Sequence, residues 1–245
     1  MDYAQPYVSH TGGAVSLVSD DRAVPRNKLL SSMKAAAFER LRPALHTVDV
    51  QANELLGEAE VAPAFVYFPN TAVLSVLRSL GDESYMEVAS IGHEGMNALP
   101  LFLGADRMPS RSRVRTAGTA IRMARADFIA ASNEDGLLSV ALRRYAALLL
   151  ADVERAVVCT RFHTIPQQFA SWILYSADRV GRDDFALTHD SVASLFGVRR
   201  ATISEAAGDL KRLGVIRTGR GRIAIHDRAQ LRAAACVCYG KRNDP

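Results

Sequence analysis

Several things are scarce in this 245-residue chain, and each scarcity excludes a class. There are three cysteines, Cys159, Cys236 and Cys238, an odd number for a chain of this size. No disulfide framework follows, and a reducing cytoplasm is the expected compartment. Apolar runs stay far below the roughly 20 residues needed to cross a bilayer; the longest candidate, 146–151, is cut by Asp152. No membrane partner is expected. Residues 1–26 lack the basic and apolar regions of a signal peptide and are expected to form a flexible arm. No P-loop, dinucleotide fingerprint or serine-nucleophile motif occurs. Histidine is sparse in the β-like region, which offers only His46 and His93, the latter followed by Glu94. Metal-dependent barrel enzymes need two or three clustered histidines with a carboxylate, so an enzyme of that kind is the weaker alternative.

What is present is a concentration of positive charge. Net charge is only +4, yet basic residues outnumber acidic ones from Arg199 onward. A basic C-terminal third on a nearly neutral remainder fits a nucleic-acid-binding module joined to something else.

That third contains the most informative stretch, THDSVASLFGVRRATISEAAGDLKRL, residues 188–213. Val192, Leu195 and Phe196 fall on one helical face, with Thr188 as N-cap, Asp190 in the first turn and Gly197 as the stop. A second helix starts near Arg199, with Ile203, Ala206, Ala207, Leu210 and Leu213 on its buried stripe. Arg199 and Arg200 stand at its tip. Ala201, Thr202, Glu205, Gly208, Asp209 and Arg212 occupy its other face. This is the pattern of a helix-turn-helix whose second helix enters the major groove. Two strands follow, beginning at 215–216 and spanning 222–226, around a turn at Gly219-Arg220-Gly221. They predict a β-hairpin wing carrying Arg217, Arg220 and Arg222 toward backbone phosphates.

The rest reads as three further pieces. Residues 27–45 are helical in parts. From 48 to 123, short runs (61–68, 72–80, 85–91 and 114–123) alternate or are apolar and end at turn residues, which predicts a small antiparallel barrel or jelly roll. Residues 127–159 read as one helix, with Leu138, Leu142, Tyr145, Leu149, Val153 and Ala156 at spacings of three and four. That seam suits either a buried core helix or a dimer contact. The helix at 168–180, with the sole Trp, is expected to back the helix-turn-helix. The expected class is therefore α+β: an N-terminal antiparallel β-roll or jelly-roll barrel, a long dimerisation helix and a C-terminal winged helix-turn-helix. The boundaries are 1–26, 27–126, 127–160 and 161–245.

In LTHDSVASLFGVRRATISEAAGDLKRLGVI and RGRIAIHDRAQL, with VYFPNTAVLSVL and SIGHEGMNALPLFLG before them, the chain resembles the Crp/Fnr family of bacterial transcription regulators. The resemblance implies a homodimer reading a palindromic operator in double-stranded DNA, with RNA polymerase as a further partner. By resemblance, Arg200 matches the guanine-reading arginine, and Arg199 and Thr202 match phosphate contacts. Ala201 and Glu205 replace the family's usual Glu and second Arg, so a different operator is expected. Ser204 and Arg212 complete the expected DNA-binding set on this helix.

The implied effector pocket would involve Ala98, Leu99, Ser110, Arg111 and Ser112. Ala98 stands where a ribose-binding Glu is usual, and the phosphate-gripping Arg falls near Ser110. Cyclic AMP is therefore not expected, and the cofactor is unknown. Cys159, His163, Cys236 and Cys238 keep open an alternative, a thiol- or metal-responsive regulator.

Overall fold

The computed structural model describes residues 25–81, 84–133 and 137–240, so the expected N-terminal arm lies almost wholly outside the described residues. The described chain starts at an anchor. Asn27 is fully buried; its side-chain amide donates to the carbonyls of Pro69 and Gly95, while its Oδ1 accepts from the N–H groups of Leu29 and Leu30. One side chain thus caps helix α1 (Lys28–Ser31) and ties it to two loops. Helix α2 (Ala35–Leu41) runs into a 3-10 turn at Pro43.

Seven strands then form two antiparallel sheets: β1 (His46–Val50), β2 (Leu55–Gly57), β3 (Phe65–Pro69), β4 (Val73–Gly81), β5 (Ser84–Ile91), β6 (Arg111–Thr116) and β7 (Gly118–Ala124). One sheet has the order β1-β7-β3, the other β2-β6-β4-β5. The alternation of strand side chains decides what lies on each face. Val48, Val50, Leu74, Ile91, Val114 and Ala120 point between the sheets. Val66, Phe68, Ile121 and Met123 point the other way, into a core closed by short helix α3 (Leu99–Phe102) and two helices that follow the roll. This is the expected jelly-roll arrangement.

The run 114–123 is divided: β6 and β7 sit in different sheets. Gly118 begins β7 where a Cβ would meet the backbone nitrogen of Ala72 at 2.7 Å. Only glycine allows the chain to cross so close to the β3–β4 turn.

Over the run expected at 127–160 the described residues form α4 (Arg125–Asn133) and α5 (Leu137–Phe162). Leu138, Leu142 and Tyr145 of the expected seam are buried in the chain's own core. Tyr145 lies over Gly95, where any Cβ would overlap its ring, and donates to the Met96 carbonyl at 3.1 Å. The apolar face that α5 leaves in solvent is a different one: Val140, Leu150, Val157, Val158 and Phe162, the last 76 % exposed.

The C-terminal region comprises α6 (Ile165–Val180), β8 (Asp184–Ala186), α7 (His189–Phe196), α8 (Arg200–Arg212), β9 (Ile216–Gly219), β10 (Arg222–Ile225) and α9 (Arg228–Ala234). Helix α6 opens on a capping box between Thr164 and Gln167. Phe169 and Ile173 of α6, Val192 of α7, Ile203 and Leu210 of α8 and Ile223 of β10 share one core. Leu213, expected on the buried stripe, is 61 % exposed; it is the C-cap of α8 and its side chain leaves the core there.

Candidate nucleic-acid interface and interdomain seam

The helix-turn-helix is built locally as the residues demand. Thr188 Oγ1 accepts from the Ser191 N–H at 3.2 Å, and Asp190 lies in the first turn of α7. Gly197 ends α7 in the left-handed region, φ 64°. Two residues later Arg199 is the N-cap of α8 and makes no side-chain cap bond. The first N–H groups of α8 are therefore open to an external acceptor such as a phosphate oxygen.

Helix α8 is divided lengthwise. Ile203, Ala206, Ala207 and Leu210 are buried. Arg199, Arg200, Ala201, Glu205 and Arg212 are exposed, and Thr202 and Ser204 are half-buried. Two contacts on this face have no sequence signal, because their partners lie on the preceding helix. Arg200 pairs with Asp190 at 3.3 Å, and Ser204 Oγ lies 2.9 Å from His189 Nδ1. Arg212 pairs with Asp209, one turn back on its own helix.

Gly219 and Arg222 face each other across β9 and β10, leaving a two-residue loop of Arg220 and Gly221 with φ of 50° and 70°. Two consecutive positive φ values make the tight hairpin turn that matches strand twist. The sheet has a third strand, β8, which pairs with β10 and which the sequence reading missed. Arg222 is held by Asp184 of β8 through two hydrogen bonds of 3.1 and 2.8 Å. Arg217 and Arg220 are exposed on the wing.

A second set of contacts joins this module to the β-roll. Glu87 of β5 pairs with Arg115 of β6 at 3.1 Å, and both side chains are nearly buried. From α6, Trp172 Nε1 donates to Glu87 Oε1 at 3.3 Å, and the Arg115 guanidinium lies 4.8 Å from the Trp172 ring centre and donates to Ser176 Oγ. Burial lowers the Arg115 pKa, opposed by the Glu87 charge. Arg179 of α6 pairs with Glu94 at 3.0 Å. Phe196 of α7 packs edge-on to both Phe169 and Trp172. The contacts that Trp172, Ser176 and Arg179 make with the β-roll span 61 to 85 residues of sequence, so no local pattern announces them.

The residues expected to form an effector pocket do not assemble one for a cyclic nucleotide. Ala98 and Leu99 are buried in the core beside α3. Ser112 is buried and within hydrogen-bond reach of Asn97; Ser110 is buried at the start of β6. Arg111 faces out of the roll, where it pairs with Glu58 at 2.8 Å and covers the Tyr85 ring. A ribose acceptor is absent at Ala98, and the arginine at 111 is committed elsewhere. The pocket as proposed therefore does not fit that ligand.

His46 is exposed on β1 and His93 lies in a turn with its Nδ1 buried. Among the described residues, the metal-ligating side chains that converge in a group of three or more are Cys159, Cys236 and Cys238, not these histidines. The cysteines are among the residues lining a cavity of about 310 Å³ between β5, α5, α6 and α7. No described helix is long and apolar enough to cross a membrane.

The comparisons agree with this geometry. Residues 167–234 match the family described as the Crp-like helix-turn-helix domain. FixK2 from Bradyrhizobium japonicum superposes with a TM-score of 0.68 at 16% identity, covering 79% of this chain and 98% of that one. A regulator of the Crp/Fnr family from Eubacterium rectale gives 0.67 at 13% identity, covering 84% and 97%. A Crp-family regulator from Thermus thermophilus gives 0.63 at 16%, covering 76% and 95%. No curated protein matches the sequence. Residues 167–234 therefore match the Crp-like helix-turn-helix domain, and the chain shares the fold of solved regulators of the Crp/Fnr type.

Proposed function

We propose that the protein is a sequence-specific, double-stranded-DNA-binding transcription regulator, not an enzyme, and that it acts as a homodimer. The observation that carries this reading is the exposed face of α8, where Arg199, Arg200, Thr202 and Glu205 project beside uncapped N–H groups while the opposite stripe is buried. Such a tip is free to enter a major groove. Arg200 reads a guanine edge, Glu205 accepts from a cytosine amino group, and Arg199, Thr202 and Ser204 hold phosphates. Arg217 and Arg220 rest on the backbone beside the groove, and Arg222 and Arg212 set the shape of the surface through Asp184 and Asp209.

The exposed apolar face of α5 supports the dimer. Leu150 and Val157 are seven residues apart, Val158 and Phe162 flank them, and all four are exposed. A stripe of that kind is costly in water and suits an antiparallel or parallel partner helix from a second copy. The Glu87–Arg115–Trp172 and Glu94–Arg179 contacts would transmit a change in the β-roll to the reading module. The effector, if the roll takes one, is not a cyclic nucleotide bound through Ala98 and Arg111. Contact with RNA polymerase belongs to the same proposal.

The test is titration of the purified full-length protein with labelled duplex at several salt concentrations. Binding whose affinity falls steeply with salt supports the reading. Absence of duplex binding at low salt would refute it.

A further inference from the structure

Cys159 lies in the last turn of α5, and His163 follows one turn later, its N–H bonded to the Cys159 carbonyl. Cys236 and Cys238 lie in the segment after α9, with Cys236 lying 77 residues beyond Cys159 and Cys238 lying 75 residues beyond His163. That segment is folded back onto α6: the Cys236 N–H bonds to Ser171 Oγ at 3.1 Å, and Tyr175 donates to the Cys238 carbonyl at 2.8 Å. The fold thereby brings three thiols together, every sulfur within 4.8 Å of the others. Cys159 Sγ is 3.5 Å from Cys236 Sγ, and His163 Nε2 is 3.4 Å from Cys238 Sγ.

We propose that Cys159, Cys236, Cys238 and His163 form a tetrahedral site for zinc or a similarly thiophilic divalent cation, joining the end of α5 to the C-terminal segment. The distances carry the argument. With metal–sulfur bonds of about 2.3 Å and a metal–nitrogen bond of about 2.05 Å, a tetrahedron has sulfur–sulfur edges of about 3.8 Å and sulfur–nitrogen edges of about 3.6 Å. The Cys159–Cys236 and Cys238–His163 separations are within a few tenths of an ångström of these edges. His163 is near Cys238 but outside the 4.8 Å grouping of the three sulfurs, so its ring must turn toward Cys159 and Cys236 to complete the set.

The donor chemistry is that of a structural zinc site: three sulfurs and an imidazole. A disulfide between any two of the three cysteines would leave the third thiol and His163 unused. Buried cysteines serving only as small apolar side chains have no reason to converge from two distant segments beside an imidazole. Ser171, whose hydroxyl oxygen lies 3.0 Å from Cys236 Sγ, is placed as an outer partner of the ligand sulfur. Metal binding would displace the thiol protons to solvent, so affinity falls as pH is lowered.

The site is independent of the DNA-binding reading, and the same preparation separates the two. The full-length chain, expressed with zinc and freed of any metal-binding tag, is assayed for metal content and for duplex binding. The expected result is one zinc per chain, with all three thiols protected from alkylation until a chelator removes it. Cobalt substituted for zinc gives the intense thiolate-to-metal charge-transfer and tetrahedral ligand-field bands. Cys236→Ser loses stoichiometric metal. His163→Ala keeps three thiolates and shifts the cobalt bands; unshifted bands would remove His163 from the ligand set. The proposal is overturned if the wild-type chain takes up neither zinc nor cobalt, if its three thiols alkylate freely in the presence of zinc, or if Cys159 and Cys236 are isolated as a disulfide from reducing cells. Because these readouts use the wild-type chain, a variant that fails to fold does not decide the matter.

Discussion

Trp172 of α6 donates its indole N–H to Glu87 of β5 across 3.3 Å, and that carboxylate is already paired with Arg115 at 3.1 Å. One buried acid in the β-roll thus fixes a side chain in the reading module. Removing it leaves the buried Arg115 charge without its anionic partner, with only Ser176 and the Trp172 ring beside it, which is expected to cost up to about 3–5 kcal/mol of stability. Urea denaturation of Glu87→Ala, followed through the emission of the sole Trp, measures this. The double variant with Arg115→Ala is expected to lose less than the sum of the single changes.

Releasing Arg200 from its neighbour is expected to act the other way. The Asp190–Arg200 pair is about two-thirds exposed on both sides, so Asp190→Asn changes stability by less than about 1 kcal/mol. It removes a negative charge from the face that meets phosphates. Tighter binding to every duplex is expected, with no change in base preference. Arg200→Ala is expected to cost about 1–3 kcal/mol on the best site and to relax preference at one base pair. Equal weakening on all sequences would make Arg200 a phosphate contact.

The wing separates into two kinds of arginine. Arg217→Ala and Arg220→Ala should each weaken duplex binding on all sequences and lower the salt slope by about one. Arg222→Ala should also loosen the β8–β10 pairing that its bidentate contact with Asp184 supports. Hydrogen exchange of the β8 amides distinguishes it from the other two.

Arg111 holds the Glu58 carboxyl below the usual carboxylate range, chiefly through their hydrogen bond. A depressed carboxylate stabilises the fold at neutral pH, and that contribution is lost as pH falls from the ordinary carboxylate value through the lowered one. Arg111→Ala should therefore flatten the acid limb of the stability-versus-pH curve. The effect is small, because the pair is partly exposed.

Periodic and capped elements were legible in the sequence. Thr188, Asp190 and Gly197 delimit α7, and Ile203, Ala206, Ala207 and Leu210 mark the buried face of α8, because each signal is carried within one or two helical turns. The wing turn at Gly219-Arg220-Gly221 was legible for the same reason, although the loop itself is only Arg220 and Gly221. What could not be read depends on distant partners. Three-residue strands such as β2 and β8 have no period of their own. The spacing of Leu138, Leu142 and Tyr145 left a core helix and a dimer contact equally open, because it is the same whether a partner helix or the β-roll covers them; the fold buries these three in the chain's own core. Glu87, Arg115 and Arg179 carry no local signal, because their partners come from distant segments. The cysteines were visible as candidates, but only the return of residues 235–240 onto α6 shows that they meet.

The most direct measurement for the central claim is selection of binding sites from random duplex DNA by the purified full-length chain. The account predicts enrichment of a palindrome whose half-site centres are about 10–10.5 base pairs apart, one helical turn, with Leu150→Asp in α5 abolishing the two-fold pattern. No enrichment, or a single unpaired half-site from the wild-type chain, would contradict it.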